Sequence, residues 1–137
     1  MHHGHIKKVI TTDKAPKAIG PYSVGIAGGH FIFTSGQIGL DPETGTLVAG
    51  GVETEARQAL QNLKAILEAA GSSLDQVVKT MVFLQDMNHF SQMNAVYAEF
   101  FAEDAPARSA VQVAALPKGA LFEIEAIAMV PRQQNHD

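Results

Sequence analysis

Two charged side chains near the C-terminal end carry most of the chemistry that this sequence can offer. Arg108 opens the string PARSAVQVAALPKGALFEIEAIA behind Pro106, and Glu123 stands in its second half. A guanidinium among Ser, Ala, Val and Gln is a lone cation in an apolar stretch, and such a cation needs an anionic partner. It can grip a carboxylate through two parallel hydrogen bonds, which fix orientation as well as position. The partner is either an internal Asp or Glu or the carboxylate of a ligand, and the residues alone weigh the two equally. Glu123 and Glu125 lie two apart, on one face of a strand whose other face carries Phe122, Ile124, Ala126 and Ala128. Such a pair is ordinarily a solvated face; here it is also free for a site or a subunit contact.

Other chemistries fall away. The chain has no cysteine, which excludes disulfides, thiolate catalysis and Cys-based zinc. It has no G-x-S-x-G elbow, no Walker or Rossmann glycine pattern and no histidine pair at metal spacing outside the N-terminal tail. His30, His89 and His136 stand beside turns or at an end, so general-base work by histidine is not expected, and His89 reads as a surface residue. The start, Met1 to His5 (MHHGH), reads as a solvated tail or scar. Its alternative is a square-planar Cu(II) or Ni(II) site at Met1, His2 and His3.

These side chains must be positioned by one domain. The 137 residues are 46% hydrophobic and 18% charged, enough for a single core. The limits expected are a tail and edge strand over 1–10, one domain over 11–130 and a tail over 131–137. A net charge of −4 supplies no basic stripe for phosphates and argues against nucleic acid. No apolar run nears the roughly 20 residues of a membrane span, and no leader-like apolar segment follows the start, so a soluble cytoplasmic protein is expected.

Lys7 to Thr12 reads as an edge strand. Asp13 to Pro21 is loop, and Tyr22 follows a Gly-Pro turn, where it reads first as a packing tyrosine with its hydroxyl in water. Gly28-Gly29 signals a hairpin into a strand over His30 to Ile38, HFIFTSGQI. Gly36 inside it marks a bulge or the close approach of a ligand, with equal weight. Asp41 to Gly45 is a turn. Ala56, Ala59, Leu60, Leu63, Ile66, Leu67 and Ala70 have helical spacing, so Glu53 to Ala70 is an amphipathic helix stopped by Gly71, with Arg57 turned to water.

Val77 to Leu84 is a strand. A second helix runs from about His89 to Ala102, capped by Asn88 or Asp86, with Phe90, Met93, Tyr97, Phe100 and Phe101 as its buried stripe. Asn94 lies beside that stripe and needs a polar partner. The turn at Pro117, Lys118 and Gly119 predicts a terminal hairpin. In it Arg108 and Glu123 would miss each other by well over ~10 Å at about 3.3 Å per residue, so Arg108 is expected to meet a Glu123 from another chain. The fold class is α+β: a mixed sheet with two helices on one face. The bare face is most economically buried against copies of the same chain.

The string from Pro106 to Ala128, with IGPYS and FTSGQI upstream and NAVYAEFF between, resembles the Rid family (RidA, formerly YjgF) of imine deaminases from about Thr11 to Met129. The resemblance implies a chorismate-mutase-like homotrimer with sites at the subunit clefts, no metal and no organic cofactor. Its substrates are 2-imino and 2-enamino acids such as 2-iminopropanoate and 2-iminobutanoate, hydrolysed to 2-keto acids and ammonia. Carried over, Arg108 clamps the substrate carboxylate and Glu123 orients the water. Tyr22 and Asn94 line the pocket, Ser35 and Gly36 let substrate approach the backbone, and Ala110 offers backbone contacts. Ala110 departs from the family's common cysteine, and the segment from Phe101 to Pro106 is shorter than in close relatives. The other readings are a trimeric keto-acid-binding or regulatory protein without turnover, a chaperone-like protein and, well below these, a chorismate mutase, which would want several cations in one cleft.

Overall fold

The computed structural model describes residues 6–131; the His-rich start with its metal reading, and Arg132 to Asp137, lie outside them. The elements run β1 (Lys8–Ile10), β2 (Gly25–Gly28), β3 (Phe31–Thr34), α1 (Val52–Ala69), β4 (Val77–Leu84), α2 (Phe90–Phe100), β5 (Ala107–Gln112) and β6 (Phe122–Met129). They build one six-stranded sheet in the order β1-β2-β3-β6-β4-β5. β4 and β5 are parallel, with α2 as their crossover, and β6 lies antiparallel between β3 and β4. The expected α+β class holds. No described helix is long and apolar enough to cross a membrane.

The expected terminal hairpin is not formed. β5 and β6 are separated by β4, so the Pro117–Gly119 turn bridges one strand rather than joining neighbours. The local turn chemistry is as read, but parallel pairing of β5 with β4 through the α2 crossover takes the place a hairpin partner would have had.

Each helix follows from its apolar spacing. α1 buries Ala56, Ala59, Leu60, Leu63, Ile66 and Leu67 completely. Each large side chain so removed from water contributes about 1.5–3 kcal/mol. No side chain caps its start, where Gly51 is the N-cap, but Glu53 and Glu55 stand in the first turn, where negative charge suits the helix dipole. Its end is set by Gly71, whose φ of 81° lies in the left-handed region that glycine enters without cost. α2 is preceded by a 3-10 turn over Met87–His89, where Asp86 rather than Asn88 caps by accepting the Asn88 N–H.

Both helices cover one face of the sheet, over Ile32, Val82, Leu84, Phe122, Ile124 and Ala128. The opposite face is bare. Register places Phe31 beside Met129, Phe33 beside Ile127 and Glu125 beside Met81, and Phe31, Phe33, Val111 and Met129 are each about two-fifths exposed.

Candidate active site

β5 is an edge strand, and register pairs Arg108 with Thr80 of β4, whose side chain is fully buried under the helices. Arg108 therefore points to the helix face. Its guanidinium lies over the Tyr97 ring at 4.6 Å and the Phe90 ring at 5.4 Å from the centroids, a cation–π seat. Nη1 donates to Asn94 Oδ1 at 2.7 Å, the only hydrogen bond of this guanidinium among the described residues. Asn94 thus has the polar partner its place beside the stripe required. Tyr97 is held in turn by a 2.8 Å hydrogen bond between its hydroxyl and that of Thr80. The internal acid offered as one partner for Arg108 is not there: among the described residues the one ion pair joins Arg57 to Glu99 at 2.7 Å on the surface. Ala110 shares the Arg108 face and packs against the core edge.

Glu123 belongs to the other face. It pairs with Phe83 on β6, half-buried, and lines a crevice of about 470 Å³ with Tyr22, Ser35, Gly36 and Glu125. Burial first, and the neighbouring Glu125 carboxylate second, push its proton affinity above the ordinary carboxylate range. The Ser35 hydroxyl donates to the Ser23 carbonyl at 2.6 Å, which commits its proton and leaves the oxygen as an acceptor. Tyr22 is half exposed rather than packed away. Lys17 and Lys118 also border the crevice; Lys118 holds a left-handed φ of 58°.

Gly36 is not inside β3, which ends at Thr34; the chain leaves the ladder and rejoins β6 at Gln37, which forms an isolated bridge with Ile124. The physical reason for the glycine is Glu123, whose carboxyl occupies the space that a Cβ on Gly36 would take, with Cδ only 2.8 Å from it. His89 is also not a plain surface residue: it is half-buried, and its Nδ1 is shut from solvent without a hydrogen-bond partner.

Each chain therefore carries two half-sites. Arg108 with Asn94, Phe90 and Tyr97 furnishes an anion seat on the helix face. Glu123 with Tyr22, Ser35 and Gly36 furnishes a carboxylate crevice on the bare face. The two lie two strands and three residues apart in register, roughly 14 Å between Cα atoms at ideal spacings, on opposite sides of the sheet. The distance expected from the hairpin was of the right size for the wrong topology. Phe90 and Tyr97 read as core in the sequence; their second role as the seat of Arg108 appears only when α2 lies beside β5. No group of three or more His, Cys, Asp or Glu suited to a metal occurs among the described residues.

A family model described as endoribonuclease L-PSP matches residues 12–130. A RutC family protein of Pyrococcus horikoshii is 58% identical over 123 residues, covering 90% of this chain and 98% of the relative. The human 2-iminobutanoate/2-iminopropanoate deaminase is 54% identical over 124 residues, 90% of each chain. Among solved structures, Escherichia coli TdcF with bound serine superposes with a TM-score of 0.85 at 50% identity, covering 89% of this chain and 98% of that one.

Proposed function

The chain belongs to the Rid (YjgF/RutC) family, whose model carries the endoribonuclease L-PSP description, and from that premise we propose that it hydrolyses 2-imino and 2-enamino acids to 2-keto acids and ammonia. The observation that carries the reading is the pair of incomplete half-sites. Arg108 is a half-buried, oriented cation with no carboxylate from the described residues beside it, and Glu123 is a half-buried carboxylate whose proton affinity is raised by burial and by Glu125. The relatives named as deaminases, at 54–56% identity, support the same chemistry.

In this reading three copies associate through the bare sheet face, and the helix face of one chain's edge strand meets its neighbour's crevice, joining Arg108 of one to Glu123 of the next. Arg108 grips the substrate carboxylate, with Asn94 holding the guanidinium. Glu123 takes a proton from water as the oxygen bonds to C2 of the imine. Glu123 returns that proton to the imine nitrogen to give the carbinolamine; it then takes the hydroxyl proton as the C2=O bond forms and delivers it to the same nitrogen, so that the C–N bond breaks and ammonia leaves with the keto acid. A carboxylate of raised proton affinity suits these transfers, and a positioned base contributes about 10²–10⁴-fold. The balance is one imine and one water to one ketone and one ammonia, with no redox partner. Tyr22, Ser35 and the Gly36 backbone border the reacting carbon, and Ala110 supplies backbone contacts beside Arg108. An RNA-cleaving activity, which the family description suggests, finds less support: the net charge is −4, which offers no basic stripe to track phosphates.

Complementation tests the shared site. Arg108→Ala and Glu123→Gln chains are each inactive alone, while a 1:1 mixture reassembled into trimers recovers activity. With three sites per ring, three-quarters of the trimers are mixed and each holds one intact Arg108/Glu123 site, so roughly one quarter of wild-type activity returns. No recovery after verified subunit exchange overturns the shared site.

A further inference from the structure

We propose that Glu55 is a positioning residue for Glu123: its carboxylate holds the Leu121 amide and thereby fixes where the proposed general base enters the crevice. The inference rests on the reading of Glu123 given above.

Glu55 stands in the first turn of α1 yet is only 4% exposed. A first-turn acid gains from the helix dipole without being buried, so burial here adds a cost that the dipole alone does not require. That cost shows in its proton affinity, which burial raises while the Leu121 amide, and less so the nearby His89, draw it back. The one hydrogen bond of its carboxylate among the described residues spans 66 positions: Oε1 accepts the Leu121 N–H at 2.7 Å. Leu121 is the last residue before β6, two ahead of Glu123. Besides the burial of Ala120 and the packing of Leu121 against the core, the backbone bonds of this segment are its own turn bonds, Gly119 N–H to Leu116 and Ala120 N–H to Pro117, and the Gln85 N–H reaching the Leu121 carbonyl at 3.2 Å. Glu55 is thus the side chain that ties this segment to the helix layer.

The same residue braces the facing wall. Gly39 lies so close to the Glu55 backbone that an added Cβ would stand 2.7 Å from its carbonyl oxygen, and Gly39 is three residues beyond Gly36, on which the Glu123 carboxyl rests. One residue of α1 therefore touches both segments beside Glu123, in addition to the Gln37–Ile124 backbone bridge that joins them. Arg108, seated against α2, makes no use of it.

The test compares Glu55→Ala, Glu55→Asp and Glu55→Gln in the full chain, reading kcat and KM with 2-iminobutanoate generated in situ and Kd for 2-oxobutanoate. Glu55→Ala should lower kcat by about tenfold or more, the scale expected of a displaced reacting group, with Kd within about twofold because the anion seat is untouched. Glu55→Asp, which withdraws the oxygen by one methylene, keeps the fold if the alanine variant does not and should show the same split. Glu55→Gln, whose amide oxygen still accepts from Leu121, should restore kcat to within about threefold. Unchanged kcat in Glu55→Ala or Glu55→Asp, equal loss of kcat and binding, or no rescue by glutamine overturns the inference. Glu123→Gln run alongside separates the two readings: full turnover there overturns the role of Glu123 itself, whereas loss there with none at Glu55 overturns only the positioning role.

Discussion

Gly36→Ala and Gly39→Ala add the same methyl group three residues apart, and the neighbours they meet predict opposite outcomes. Neither glycine has a φ in the left-handed region, so backbone strain does not enter. The new Cβ at 36 would stand 2.8 Å from Cδ and 3.1 Å from Cγ of Glu123, the far end of a side chain that can rotate away. Displacing it costs about 0.5–1.5 kcal/mol of rotamer energy, offset by about 0.4–1 kcal/mol from stiffening the unfolded chain. Stability should stay within about 1 kcal/mol of wild type. Activity should not: a carboxylate moved by about 1 Å loses about 10²-fold. At 39 the methyl would meet the carbonyl oxygen, Cα and carbonyl carbon of Glu55 at 2.7, 2.8 and 3.1 Å. These atoms belong to a helix backbone that cannot rotate away, so the upper part of the roughly 1–3 kcal/mol overpacking range applies, or about 8–12 °C in Tm for a domain of this size. The assays are thermal melting and coupled lactate dehydrogenase detection of pyruvate formed from 2-aminoacrylate. Full turnover in Gly36→Ala, or a melt as low as that of Gly39→Ala, would show that Glu123 does not work from its present seat.

Two further outcomes follow from the same half-sites. Asn94→Ala removes the only hydrogen bond that orients the Arg108 guanidinium among the described residues. A bond to a charged group is worth about 1.5–3 kcal/mol, so calorimetry should find 2-oxobutanoate bound at least about tenfold more weakly, and an unchanged Kd would remove Asn94 from the anion seat. Because burial and Glu125 raise the Glu123 proton affinity, its contribution to folding is fully present below the ordinary carboxylate value and is lost as pH rises through the raised one. Glu123→Gln should therefore melt above wild type at pH 7 where the chains are held dissociated, with the difference vanishing in acid; in the assembled form a neighbour's Arg108 beside Glu123 draws the affinity back down and narrows the gap. A variant that melts lower at pH 7 would show that the carboxylate stabilises the fold instead.

The limits of the sequence reading are physical. Both helices and the β4 strand Val77–Leu84 were legible because apolar residues at a period of 3.6, or gathered in a short strand whose alternate residues are buried, report burial directly. The partner of a strand is not encoded in that way. A period of two says which side chains share a face, as it did for Glu123 and Glu125, but Val111 and Ile124 read alike whether their strands touch or flank a third. The hairpin expectation failed on this point, since Pro117 to Gly119 reverses the chain equally well over one strand spacing or two. The α2 crossover decides the matter, because it lays β5 parallel to β4 on the outer edge and leaves the inner gap for β6. That same displacement gives the candidate site its character. A terminal hairpin would have put Arg108 beside β6, whereas insertion of β4 places it at a free edge on the helix face while Glu123 faces the other way. With cation and carboxylate on opposite sides of one sheet, no side-chain rotation can unite them in a single chain. Catalysis by this pair therefore requires a second copy, and the apolar bare face supplies a physical reason for that copy to bind.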